Sequence, residues 1–196
     1  MVPRIFCLVG STDPLELLPE LAAAGVDGFQ VRAKRATDAE LYALACAVLG
    51  AVRPYGARVL VDDRLDVALA ARADGVHLGR ADLPVAAARR VAGDLLVGAT
   101  CRCREHVERA RAEGADYAGL GPVFATASKH GLPSPLGVAA VREADGVLPL
   151  VAIGGITTGR AREVRVAGAT GVAVLGGIWR EPDPLAAARE LVGEVA

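Results

Sequence analysis

At 196 residues, 53% of them apolar and 23% charged, the chain is long enough to bury well over half of its unfolded surface and too apolar to be disordered. A formal net charge of -1 leaves no basic excess with which to hold nucleic acid or an anionic membrane, so an anionic ligand must be gripped locally. The cysteines Cys7, Cys46, Cys101 and Cys103 form no paired framework, and the N-terminus runs straight into Ile5-Phe6-Cys7-Leu8-Val9 without a signal-peptide pattern. The longest uncharged apolar stretch, Leu41 to Val52, is shorter than the roughly 20 residues a bilayer-spanning helix needs. These features predict one compact cytoplasmic domain over residues 1–196.

Ile5 to Val9 reads as a strand, followed by Asp13-Pro14-Leu15-Glu16, in which Asp13 is expected to cap a helix that ends at Gly25. Gly28 to Arg32 is a second strand, and Thr37-Asp38-Ala39-Glu40 is a capping box opening a helix to about Val52. The cycle then repeats. Strands are expected at Arg58–Val61, Gly75–Leu78, Leu95–Ala99, Tyr117–Leu120, Leu150–Ile153 and Gly171–Val174. The helices between and after them fall at Leu65–Arg72, Pro84–Val91, Arg104–Glu113, Val138–Glu143, Thr158–Val166 and Pro184–Val192, the last behind an Asp183 cap.

The strands are short apolar runs without alternation, as parallel strands covered on both faces require. Eight such strand-helix units predict an α/β fold, a (β/α)8 TIM barrel in one compact domain, although about 250 residues is typical of that architecture. An open doubly wound sheet is the alternative.

In such a barrel the working residues stand after the C-terminal ends of the strands. That rule gathers Gln30, Arg32 and Lys34 after strand two, Asp62 and Asp63 after strand three, Asp82 after strand four and Thr100 after strand five. Strand six leads into Gly121 to Leu136, a loop rich in Gly, Pro, hydroxyls and cations, where Thr126, Ser128, Lys129 and His130 can meet an anion. Gly154-Gly155 and Gly176-Gly177 follow strands seven and eight, where bare backbone N–H groups can approach a phosphate. Arg32 and Lys34 share one side of an extended segment, with Gln30 in register behind them. Alone, Asp63 and Asp82 each read as a helix cap; beside these cations they point to a diphosphate held through Mg²⁺.

The segments Gln30-Val31-Arg32-Ala33-Lys34, Val61-Asp62-Asp63-Arg64, Gly75 to Asp82, Gly119 to Lys129 and Ala152-Ile153-Gly154-Gly155-Ile156 together resemble the thiamine phosphate synthase family over nearly the whole chain. The resemblance implies a transferase that joins hydroxymethylpyrimidine diphosphate to thiazole phosphate, or its carboxylated form, and releases pyrophosphate. It assigns Gln30, Arg32, Lys34 and Lys129 to the pyrimidine diphosphate, Asp63 and Asp82 to Mg²⁺, and Thr126, Ser128, Gly155, Gly176 and Gly177 mainly to the thiazole phosphate. Thr100 matches a family serine beside the reacting diphosphate, and Arg32, Lys34, Thr100 and Lys129 are the expected catalytic groups. Asp62 stands where the family usually has Asn, Ser128 where Thr is common, Ala33 where Glu is common, and Gly176 where Ser is usual.

The related thiazole tautomerase shares the barrel and the phosphate site, but some tautomerases carry a histidine where this chain has Pro122. A non-catalytic binder of thiamine precursors is a third reading, disfavoured by the intact Asp63-Asp82 pair. The expected partners are small phosphorylated substrates, with homodimerisation open. Of the remaining groups, His77 is read as a packed strand residue, His106 as solvated, His130 as either an exposed residue or a phosphate contact, and Cys101 and Cys103 as reduced thiols.

Overall fold

A computed structural model describes residues 1–126 and 133–195. Eight parallel strands, β1 (Ile5–Val9), β2 (Gly28–Val31), β3 (Arg58–Asp62), β4 (Gly75–Leu78), β5 (Leu96–Cys101), β6 (Tyr117–Leu120), β7 (Leu150–Ile153) and β8 (Gly171–Val174), pair in sequence order and close between β8 and β1. The helices are α1 (Leu18–Ala23), α2 (Asp38–Val52), α3 (Leu65–Ala71), α4 (Val85–Ala92), α5 (Arg104–Ala112), α6 (Ala139–Ala144), α7 (Thr158–Val166), α8 (Gly176–Trp179) and α9 (Pro184–Val195). The open sheet is thereby excluded. The Thr37 capping box forms as expected: Glu40 N–H donates to Thr37 Oγ1 at 3.3 Å, and Thr37 N–H donates to Glu40 Oε2 at 2.7 Å.

The bore is narrow and its contents explain the strand glycines. Phe6, Leu8, Leu60, Tyr117, Val151 and Ala173 form an inner cluster separate from the larger core between strands and helices. The Phe6 and Tyr117 rings stack with centroids 5.5 Å apart. A Cβ at Gly98 would clash with Cζ, Cε1 and Oη of Tyr117, one at Gly28 would lie 2.9 Å from Phe6 Cδ1, and one at Gly119 would lie 2.8 Å from His77 Cε1. Glycine lets a small barrel hold aromatic residues inside.

Three local expectations are corrected. Asp13 does not cap a helix; its Oδ2 accepts from Gly10 N–H at 2.7 Å and closes the loop after β1, and the chain enters α1 through a 3-10 turn at Leu15–Leu17. Strand β5 continues to Cys101, placing Thr100 on a strand instead of a loop, because its backbone pairs with Gly119 on β6. The short α8 is an addition, pinned over the barrel by Trp179, whose indole N–H donates to Leu8 O at 2.6 Å.

Candidate active site

One cavity of about 720 Å³ opens among the strand C-termini, and every expected site residue within the described part of the chain lines it: Gln30, Arg32, Lys34, Asp62, Asp63, Asp82, Thr100, Thr126, Gly155, Gly176 and Gly177. Ser128, Lys129 and His130 lie outside the described residues.

The β2 and β3 ends make a charged lattice. Buried Asp62 accepts from Gln30 Nε2 at 2.6 Å and pairs with Arg32 Nε at 3.2 Å. Burial and the neighbouring Asp63 charge nonetheless push the Asp62 carboxyl up to about 6, because Arg32, Gln30 and Lys34 offset only part of the desolvation. The Arg32 pair is made through Nε, and Arg32 also lines the cavity. Lys34 Nζ sits 2.7 Å from Asp63 Oδ2.

Asp63 has a left-handed backbone, φ 66°, fixed by its own N–H donating to His77 O at 2.8 Å, which turns its side chain from β3 toward β4. Asp82 Oδ2 accepts from Gly79 N–H at 2.7 Å, so Asp82 ties the loop after β4 and does not cap α4. The two carboxyls share a hydrogen bond. For Asp82, burial and that bond raise the carboxyl above its ordinary range; for Asp63, burial also works upward, but Lys34 and the Asp82 bond hold it below.

This donor set fits a magnesium ion. Two carboxyls close enough to share a proton can instead share a hard cation, which takes one or two protein carboxylates and fills its shell with water and phosphate oxygens. The bare Cα of Gly79 keeps the space open: a Cβ there would lie 2.6 Å from Asp82 Oδ2 and 3.8 Å from Asp63 Oδ1. Among the described residues no group of three or more His, Cys, Asp or Glu forms a fuller cage. Cys101 is buried, and desolvation moves its thiol up to about 12, keeping it protonated.

Behind the carboxylates His77 joins two hydroxyls, Nε2 lying 2.9 Å from Thr100 Oγ1 and Nδ1 3.0 Å from Tyr117 Oη. Burial lowers His77 to about 4 despite the charges of Asp63 and Asp82, so the imidazole is neutral and orients the Thr100 hydroxyl from below. Its reading as a packed residue stands, with the addition that it lines the cavity. His106 differs from expectation: it is half-buried, its Nδ1 has no hydrogen-bond partner among the described residues, and burial with nearby Arg109 and Arg80 lowers its pKa.

On the opposite wall, Gly154 and Gly155 have φ of 96° and 65°, conformations that free glycine for a turn of exposed backbone, and α8 begins at Gly176 beside them. A Cβ at Gly177 would lie 2.5 Å from Ile156 O, so the loops after β7 and β8 touch through bare backbone. Four cavity-lining cations escaped the sequence reading, Arg80, Arg102, Arg160 and Arg180. Arg160 donates to Gly155 O at 2.8 Å and lies 4.7 Å over the Phe124 ring, while Arg102 reaches Ser134 O at 3.0 Å. Arg160 had a signal, standing in the first turn of α7 just past Gly154-Gly155; Arg102 and Arg180 had none beyond proximity to a strand end or short helix.

A family model described as thiamine monophosphate synthase matches residues 3–178. The chain is 47% identical over 178 residues to the thiamine-phosphate synthase of Methanoculleus marisnigri, covering 89% of this chain and 84% of that one. It is 46% identical over 194 residues to the thiamine biosynthesis bifunctional protein ThiM/ThiE of Symbiobacterium thermophilum; that match covers 97% of this chain but spans only 40% of the longer relative. The solved thiamine phosphate pyrophosphorylase from Pyrococcus furiosus superposes with a TM-score of 0.88 at 34% identity, over 98% of this chain and 95% of that one. A 3-hexulose-6-phosphate synthase, TM-score 0.76 at 23% identity, shares the fold. Family model, relatives and barrel agree, and the chain belongs to the thiamine monophosphate synthase family.

Proposed function

We propose that the protein is a thiamine-phosphate synthase, a transferase that joins hydroxymethylpyrimidine diphosphate to thiazole phosphate, plain or carboxylated, and releases pyrophosphate. The observation that supports this reading is that Arg32 and Lys34 beside Asp63 and Asp82, and Gly154-Gly155 with Gly176-Gly177, line one cavity.

The Arg32 fork and the Lys34 ammonium bind the diphosphate and stabilise the charge that grows on it as the methylene carbon–oxygen bond breaks. The bonding electrons leave with pyrophosphate, and the lone pair of the thiazole nitrogen forms the new carbon–nitrogen bond. Mg²⁺ bound by Asp63 and Asp82 would supply further neutralisation of the leaving group. Thr100, held by neutral His77, offers its hydroxyl to the diphosphate, and Lys129 is assigned to the same ligand. Thr126, Ser128 and the backbone at Gly155, Gly176 and Gly177 hold the thiazole phosphate, and no side chain forms a covalent intermediate. A cytoplasmic location and a homodimeric state belong to the same reading; among the described residues no helix is long and apolar enough to cross a membrane.

The test is to mix both phosphorylated precursors with Mg²⁺ and follow pyrophosphate and thiamine phosphate together. Equimolar appearance of the two is expected, with strong loss after chelation. Thiazole phosphate binding with no pyrophosphate under any condition would overturn the synthase reading in favour of a tautomerase or binder.

A further inference from the structure

From Leu41 to Val52, helix α2 is apolar on every side. Its inner face packs Leu41, Leu44, Ala45, Val48, Leu49 and Val52 on the barrel, while the solvent face carries Tyr42, Ala43, Cys46, Ala47 and Gly50 without one charge. Surface helices ordinarily set charged residues opposite the core stripe, as α5 does with Arg104, Glu105, Glu108 and Arg109; a helix apolar all round is covered on both sides. Neighbouring α3 widens the patch with Leu69 and Ala70, and Tyr42 and Leu69 are 44% and 42% exposed.

Charge and shape identify what covers it. Both helices follow parallel strands and so run the same way. Their N-terminal ends carry Asp38, Glu40 and Asp66, with Arg64 bound between Asp38 and Asp66. Their C-terminal ends carry Arg53 and Arg72, linked by Arg53 Nη2 donating to Arg72 O at 2.7 Å. The face is therefore acidic at one end, basic at the other and apolar between. A copy turned by a two-fold axis across both helices sets acidic ends on basic ends and opposes the helix dipoles, the self-complementarity an isologous interface requires.

A groove of about 590 Å³, lined by Cys46, Leu49, Gly50, Arg53, Pro54 and Ala71, lies toward the basic end. Cys46 stands near the middle of α2, Tyr42 four residues before it and Gly50 four after. An axis crossing α2 at Cys46 delivers the partner's Tyr42 to Gly50, where a Cβ would meet nothing within 4 Å and the groove is open. We propose that the α2–α3 face is the interface of a homodimer, packed antiparallel about a two-fold axis near Cys46, with the Tyr42 of each copy seated in the groove of the other.

Sedimentation equilibrium at micromolar protein is expected to give the dimer mass for the wild type and the monomer mass for both Tyr42→Glu and Ala47→Arg, with circular dichroism unchanged. Ala47→Arg guards against a folding defect in the first variant, since its side chain points to solvent. Mild oxidation with copper phenanthroline is expected to link wild-type chains into a covalent dimer, and Cys46→Ala to abolish the link. A monomeric wild type, a dimer that survives both substitutions, or a cross-link that persists in Cys46→Ala would overturn the proposal.

Discussion

Asp62 Oδ1 accepts a 2.6 Å hydrogen bond from Gln30 Nε2 in the bore, so the buried carboxylate at the end of β3 is anchored to β2. That carboxylate and the His77 imidazole, its register partner on β4, are shifted in opposite senses with respect to charge and acid stability. Asp62 titrates near 6 in the folded chain against 3.8 as a free carboxyl. Between those values the folded state binds more protons than the unfolded, so its contribution to stability rises as pH falls. His77 titrates near 4 against 6.5. Between those values the unfolded state binds more protons, and stability is lost as pH falls.

The two contributions oppose each other between about pH 6 and pH 4, and urea melts without Mg²⁺ across that range compare the wild type with variants that remove one or the other. Asp62→Asn, which keeps a carbonyl for Gln30 and restores the residue common in the family, is expected to add up to about 3 kcal/mol at pH 8 and to unmask a steep acid loss. His77→Gln is expected to lose less stability than the wild type as pH falls from 6 to 4. Parallel pH profiles for all three proteins would refute the assignment.

The carboxylate pair can be tested with little disturbance of the fold. Asn tolerates the left-handed backbone at Asp63, and Asn at position 82 keeps an oxygen for Gly79 N–H. Asp63→Asn and Asp82→Asn are each expected to lower Mg²⁺-supported pyrophosphate release by at least about 100-fold, equivalent to roughly 3 kcal/mol of barrier. Calorimetric binding of thiazole phosphate is expected to change less than about twofold, a few tenths of a kcal/mol. A large loss of that binding would mean that the two anion sites are not separate.

Gly155 carries the opposite expectation. Its φ of 65° and its closeness to Ala125 O and Phe124 leave no room for a side chain, so Gly155→Ala is expected to weaken thiazole phosphate binding about tenfold, 1.4 kcal/mol, while pyrimidine diphosphate binding holds. Unchanged thiazole phosphate affinity would move its site elsewhere.

Glycine substitutions also separate bore from surface. Gly98→Ala, with its new methyl against the hydroxyl edge of Tyr117, is expected to cost about 1–3 kcal/mol or more. Gly193→Ala, on the exposed side of α9 with nothing within 4 Å, is expected to gain up to about 1 kcal/mol. Thermal melts give both signs.

The barrel was legible because eight apolar runs and their caps are local signals, and the Thr37 box or the Asp183 cap, where Leu185 and Ala186 N–H donate at 3.0 Å, needs only neighbouring residues. Asp13 misled because a side-chain bond back to Gly10 N–H and a helix cap use the same residue type just before a proline. Helix α8 was invisible because Gly176-Gly177 has poor helix propensity and its anchor, Trp179 on Leu8 O, spans the chain. The expected wall residues came from counting positions past each strand. Arg102 and Arg180 escaped that count because tertiary folding decides which later side chains turn back over the mouth.

The interlocked bore has an evolutionary consequence. Because the Tyr117 ring occupies the space a side chain at position 98 would need, neither site is free to drift alone: enlarging residue 98 evicts the ring, and shrinking residue 117 leaves a void beneath His77 and Thr100. Gly98→Ala combined with Tyr117→Leu should be far less harmful than the sum of the single changes, an epistasis that contacting residues show and distant ones do not. Among descendants of this chain positions 98 and 117 are expected to change together.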